Sequence, residues 1–180
     1  MGLLANLQLL SQYNQWMNQK HFQVAQNLGN ESIQEDQGAF FDSIFKTLNH
    51  IYVADIIWLR RFAQHPQQYQ SLNNLPELSN YQALDQTVAN EIETLAPLRQ
   101  ELDQTILLWC LEIESPDLEL QLSYSNTKGN PYTKNFGQLI QHFFNHQTHH
   151  RGQVSTLLYQ QGVDIGVTDL LKIIPELSQP

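Results

Sequence analysis

Between Asn135 and Gly162 the chain runs without a proline, while Phe136, Leu139, Ile140, Phe143, Val154, Leu157 and Leu158 recur with the period of a helix. That period gathers them into one apolar stripe. It predicts a long helix from about Phe136 to Gln161, closed by Gly162 in the position where helices favour glycine. A long helix with a single apolar stripe gains most of its stability from packing against others. The rest of the chain must therefore supply helical partners.

Three segments qualify. Leu3 to Leu28 is rich in Leu, Gln, Ala and Asn, lacks proline and is followed by Gly29, so it reads as the first helix. A second helix is expected after the acidic stretch Glu31 to Asp36, running through FFDSIFKTLNHIYVADIIWLRRFAQ and ending before His65–Pro66. A third is expected from about Tyr81 to Ile113, with Pro97 as a kink or break and Ser115–Pro116 as its stop. The stretch from His65 to Asn80, with its prolines, reads as a connection across one end of the assembly. Leu118 to Tyr124 alternates apolar and polar residues, and SNTKGNP supplies turn chemistry before Tyr132 and Thr133, so a short two-stranded hairpin is expected there. A short helix from Thr168, before Pro175, completes the reading. The fold class is all-α: a four-helix bundle with a short β-hairpin before the last long helix.

With 180 residues and no break in composition, the chain is expected to form one domain spanning 1–180. Nine Lys and Arg against 18 Asp and Glu give a net charge of −9, which opposes the counterion-release term that drives binding to nucleic acid. No apolar run approaches the ~20 residues of a membrane span, and the opening MGLLANLQLLSQYNQ has neither a charged n-region nor a cleavage site, so a cytoplasmic location is expected. Cys110 is the single cysteine and is flanked by Leu107, Leu108, Trp109 and Leu111, which marks it as a buried structural thiol.

Four of the seven histidines fall in QHFFNHQTHHRGQ, at positions 142, 146, 149 and 150. Such clustering points to a divalent metal, because neutral imidazole is the commonest protein ligand for zinc, nickel and related ions. Spacing of four residues stacks His142 with His146 and His146 with His150 on one face. On a helical wheel His150 lies roughly 30° and His146 about 70° from the apolar direction, with His142 and His149 more than about 100° away. The inward pair is thus His146 and His150. A third ligand must come from another helix, and the candidates are His21 and His50.

The segments LNHIYVADIIWLRRF and HFFNHQTHHRGQVSTLLYQQGVD, together with YNQWMN in the first helix and the polar hairpin, resemble the DinB family, which is related to thiol-dependent S-transferases and is distinct from the DNA polymerase sharing that damage-inducible name. The resemblance covers nearly the whole chain. It implies that the histidine of the LNH motif and two histidines of the NHxxHHRGQ motif hold the metal, here His50, His146 and His150. It also implies a low-molecular-weight thiol as partner to the metal, and, with apolar residues on several helix faces, a homodimer.

Two functional classes follow. Three neutral ligands leave coordination positions open, as in a metal-dependent transferase or hydrolase acting on a small molecule. The alternative is a non-catalytic metal-containing stress-response or interaction protein, for which a fourth protein ligand is expected. Asp55, near the centre of the second helix's apolar face, is expected either to hold a ligand imidazole through its second nitrogen or to bond Arg60 or Arg61. Arg151, on the side of the helix away from His150, is read as a structural cap or ion-pair partner, Gly152 as a site of close helix packing, and Trp16, Trp58, Trp109, Tyr13, Tyr52 and Phe143 as core or pocket lining.

Overall fold

The structure is a computed structural model that describes residues 2–76, 84 and 86–176. Its order is α1 (Leu3–Leu28), α2 (Asn30–Gln34), α3 (Ile44–Phe62), α4 (Ile92–Glu112), β1 (Gln121–Ser125), β2 (Pro131–Asn135) and α5 (Phe136–Gln160). Helix α1 packs along α4 and α5, α3 packs on α5, and a lighter contact between α3 and α4 closes the four-helix ring. The expected bundle with its hairpin before the last helix is what forms.

The helix ends follow from local chemistry. Gly29, at φ 81°, stops α1 by donating its N–H to Ala25 and Gln26, and opens α2. The short α2 buries Ile33 and was not expected in the acidic stretch. Helix α3 begins later than expected because Gly38 and Asp42 both take positive φ, and Ser43, in an extended conformation, caps it by accepting the Lys46 N–H. Fourteen of the 19 residues of α3 are buried, which makes it the central element.

Helix α4 also begins later, at Ile92 rather than about Tyr81; Tyr81–Ala83 and Asp85 lie outside the described residues, and residues 86–91 are not helical. Side chains of other elements hold this approach in place. Asn49 accepts the Val88 N–H at 2.8 Å, and Asn30 accepts the Ile92 N–H at 2.9 Å and donates to Glu93. Pro97 neither ends nor breaks α4. Its missing N–H and the Glu93 carbonyl left without that bond both belong to exposed residues, so the break in the ladder costs least here.

The hairpin is shorter at its start than expected, because Ser115–Glu119 forms a 3-10 turn and pairing begins at Gln121. Register places Ser123 opposite Thr133 and Tyr124 opposite Tyr132. Asn135 ends β2 and caps α5, accepting the Gln138 N–H while donating to the Leu118 carbonyl. The close packing expected at Gly152 occurs elsewhere. A Cβ on Gly152 would meet open space, whereas one on Gly137 would lie 3.0 Å from the Leu118 carbonyl oxygen and 3.2 Å from Leu3. The C-terminal helix expected from Thr168 is a 3-10 turn, Leu170–Ile173.

At one end of the bundle Trp109 stacks on Phe62 with ring centroids 5.0 Å apart, and Phe136, His65 and Tyr69 continue the stack. Tyr69 and Leu72, in the connection after α3, are buried against it. Trp109, Tyr52 and Phe143 are core as expected, while Trp16, Tyr13 and Trp58 are only half-buried. Cys110 is buried, and burial pushes its thiol up to about 12, so it is not a thiolate at neutral pH. No helix among the described residues is long and apolar enough to cross a membrane.

Candidate metal centre

Helices α3 and α5 bring three histidines together. His146 and His150, one turn apart on α5, approach with Nε2 atoms 3.1 Å apart, and His50 of α3 brings its Nε2 to 3.4 Å from that of His146. One nitrogen from each ring lies within 4.8 Å of the others, and these three form the group of potential ligands found among the described residues. Of the two sequence candidates for the third position, the structure brings in His50. His21 lies elsewhere, fully buried, with Nδ1 2.7 Å from the Met17 carbonyl and Nε2 2.9 Å from the Ser155 hydroxyl.

The outer ring nitrogens decide what the inner ones present. His50 Nδ1 lies 2.8 Å from the Leu84 carbonyl oxygen, and His150 Nδ1 lies 2.7 Å from the amide oxygen of Gln153. Both oxygens only accept, so both Nδ1 atoms donate, and in the neutral rings both Nε2 atoms carry lone pairs. His146 can donate to one of them at most. A proton inventory of neutral imidazoles therefore leaves at most one proton among three converging nitrogens, an arrangement that suits a cation.

Electrostatics agree with that reading. Burial, then the charges of His150 and His50, pushes the His146 imidazole down to about 3, and burial lowers His150 as well. Neutral imidazole is the form that binds metal. Phe41 stacks on His50 at 3.9 Å between centroids and meets His150 edge-on at 5.6 Å, fixing both rings. Beside His50 a cavity of about 580 Å3 is lined by Phe40, Phe41, Asp42, Lys46, Leu84 and Thr87. Next to the ligand position, Asn49 donates to the Gln86 carbonyl at 2.6 Å. Asn49 and His50 of the LNH motif together anchor the segment leading into α4, a role that spacing alone does not announce.

The remaining histidines sort as the wheel indicates. His142 and His149 are exposed; His142 meets Trp58 edge-on at 5.1 Å, and His149 only touches the edge of His150.

Asp55 supports no ligand imidazole and pairs with neither Arg60 nor Arg61. Its partner is Arg99 of α4, at 2.6 Å, and Arg99 also meets Asp103 at 2.8 Å. Asn14 and Asn18 donate to Asp103, and Asn14 accepts from Arg151, which also bonds Gln147 and Thr148. Arg151 is thus structural as expected, but its partners are amides and a hydroxyl, with the carboxylate one residue removed. Sequence reasoning missed Arg99 and Asp103. Their one signal was spacing: Arg99, Asp103 and Ile106 fall on one face of α4.

The chain matches the DinB family over residues 3–176. It is 29% identical over 160 residues to Protein DinB of Bacillus subtilis (strain 168), covering 89% of this chain and 88% of that protein. No solved structure matches it.

Proposed function

The chain belongs to the DinB family, and from that premise we propose that it holds one divalent metal ion with His50, His146 and His150 and acts on a small molecule there. The observation that carries this reading is the paired tautomers: Leu84 and Gln153 take the Nδ1 protons of His50 and His150, so that lone pairs converge on the Nε2 of His146. Zinc or nickel suits an all-imidazole donor set.

When bound, such an ion supplies a Lewis acid that lowers the pKa of a coordinated water or thiol. The chain's own residues do the rest. Leu84 and Gln153 orient two ligand rings, Phe41 covers one face of His50, and the adjoining cavity offers room for a small substrate between Phe40, Phe41 and Thr87. Three histidine ligands, with no fourth His, Cys, Asp or Glu grouped with them among the described residues, favour an open catalytic ion over a closed structural one. The family resemblance adds a low-molecular-weight thiol as the group presented, and hence transferase chemistry.

The test is metal analysis of freshly purified protein, followed by cobalt substitution and titration with small thiols. One equivalent of metal and a thiolate-to-cobalt absorption band are expected. Less than a tenth of an equivalent after incubation with excess zinc would overturn the metal reading, and unchanged cobalt spectra would overturn the thiol reading.

A further inference from the structure

A second constellation lies along α3, α5 and the hairpin, on the side of the triad reached through His142. The His142 ring is 6.2 Å from that of His146 and meets Trp58 at 5.1 Å. The Arg61 guanidinium sits 4.5 Å from the centre of the Trp58 ring and 5.0 Å from that of Tyr124. Tyr124 stacks on Tyr132 across the hairpin, and the Lys134 ammonium lies 5.6 Å from the Tyr132 ring.

Arg61 and Lys134 share a lack. The chain carries twice as many acidic residues as basic ones, and Asp55 is buried on the same helix. Yet neither cation pairs with a carboxylate or donates a side-chain hydrogen bond among the described residues. Arg61 is half-buried, and that burial lowers its pKa, so its partly desolvated N–H groups lack the acceptors that usually compensate such a cost. Aromatic rings hold the cation in place without consuming its in-plane donors. Burial, then the charges of Lys134 and Arg61, lowers the His142 imidazole.

We propose that this shelf is an anion-binding site, distinct from the metal ligands, that takes the carboxylate of a small organic acid. The planar fork of Arg61 accepts a carboxylate through paired hydrogen bonds. Lys134 adds a second charge, and the faces of Trp58, Tyr124 and Tyr132 cover the apolar body of the ligand. Arg61 is about three turns, or ~16 Å, along α3 from His50 at 1.5 Å per residue, so the shelf lies within one small-molecule length of the triad. The overall charge disfavours nucleic acid as the anion's source. The alternative is that the cations serve only to pack the hairpin on α3, a role for which ligand charge is irrelevant.

Calorimetric titration of the full-length, metal-free protein with benzoate and with benzamide separates the two. Benzoate is expected to bind at least tenfold more tightly than benzamide, with the difference shrinking as salt is raised. Arg61→Met should abolish that preference. Lys134→Gln, on an exposed strand where folding is not at stake, should weaken benzoate about threefold and leave benzamide unchanged. His146→Ala should leave benzoate affinity as it was, which keeps this result separate from the fate of the metal reading. Equal affinity for benzoate and benzamide, or benzoate binding unaffected by both Arg61→Met and Lys134→Gln, would overturn the proposal.

Discussion

Helix α5 carries two buried polar clusters on neighbouring residues, and they solve the problem of burial in opposite ways. Arg151 points into a network in which Asn14, Asp103, Arg99 and Asp55 hold one another across three helices. His150 points into a group where the inner nitrogens of three rings face one another. In the first cluster Arg99 meets two carboxylates while amides and a hydroxyl hold Arg151, so the charges are answered from within the chain. In the second, the outer nitrogens of His50 and His150 donate to oxygens of the chain, and the three inner nitrogens converge with at most one proton among them. A buried polar cluster is therefore no mark of function by itself; the first answers charge with opposite charge, although Asp55 Oδ1, Arg99 Nε and Gln147 Nε2 make no hydrogen bond there, whereas the second gathers neutral nitrogens whose lone pairs suit a guest cation.

The largest effect should come from breaking the charge-paired cluster. Arg99→Met leaves Asp55 and Asp103 buried without their cation, and removing one partner of such a pair costs about 3–5 kcal/mol. Burial already pushes both carboxyls up, with Arg99 opposing it, so in this variant both should hold a proton more readily than in the wild type. Urea denaturation should show the loss, with metal content per folded molecule unchanged. Wild-type stability in Arg99→Met would mean that the network contributes nothing and the contrast between the two clusters is false.

Breaking the histidine cluster should give the converse. His50→Ala, His146→Ala and His150→Ala should each lose most of the metal. They should also lose the stability it supplies, about 2.7 kcal/mol at a free metal concentration one hundred times Kd. With the metal chelated away, His146→Ala should lie closest to the wild type, because it removes only a converging nitrogen, whereas His50→Ala and His150→Ala also give up the hydrogen bonds to Leu84 and Gln153. Melting temperatures with and without zinc read this directly, and destabilisation of equal size in both conditions would make the triad structural.

Much of this was legible in the sequence. The stripe on α5 and the glycines at 29 and 162 gave two helices almost to the residue, because those signals are local. The start of α4 was not legible, because Asn30 and Asn49 hold its approach from other helices. The same division runs through the site. Spacing of four placed His146 and His150 on one face, whereas His50 needed the family resemblance, since periodicity on one helix says nothing of what faces it. Asp55 was recognised as a problem and given the wrong partner, for Arg99 lies on a helix 44 residues away in sequence.

Acidification tests a smaller term. Burial, together with the charges of Arg151 and Lys20, holds the His21 imidazole down to about 4 from its usual 6.5. A lowered histidine pKa means the unfolded chain binds the proton first. Its penalty is absent above pH 6.5, grows as pH falls through 6.5 toward 4, and is then constant. At pH 5 it amounts to ~2 kcal/mol. Chelated protein should therefore melt lower at pH 5 than at pH 7, and His21→Asn should reduce that difference; an undiminished pH slope in the variant would reassign it to the other lowered histidines.

The smallest effect belongs to the histidine that lies beside the triad in sequence but outside it in space. His149 is exposed and meets only the edge of the His150 ring, 4.9 Å between centroids, while His146 and His150 turn toward α3. His149→Ala removes a quarter of the histidines in the motif and none of the three converging nitrogens. If clustering alone attracts metal, through a loose set of exchangeable imidazoles, this variant should lose a share of it comparable to His146→Ala. If the converging nitrogens are what matters, it should retain the full equivalent, and its stability should stay within about 0.5 kcal/mol of the wild type, as for a surface substitution. Metal content measured side by side on His149→Ala and His146→Ala decides between the two. Equal loss in both would dissolve the contrast between a charge-paired cluster and one that converges on an ion, because the ion would then answer to local histidine density and not to the lone pairs fixed by Leu84 and Gln153.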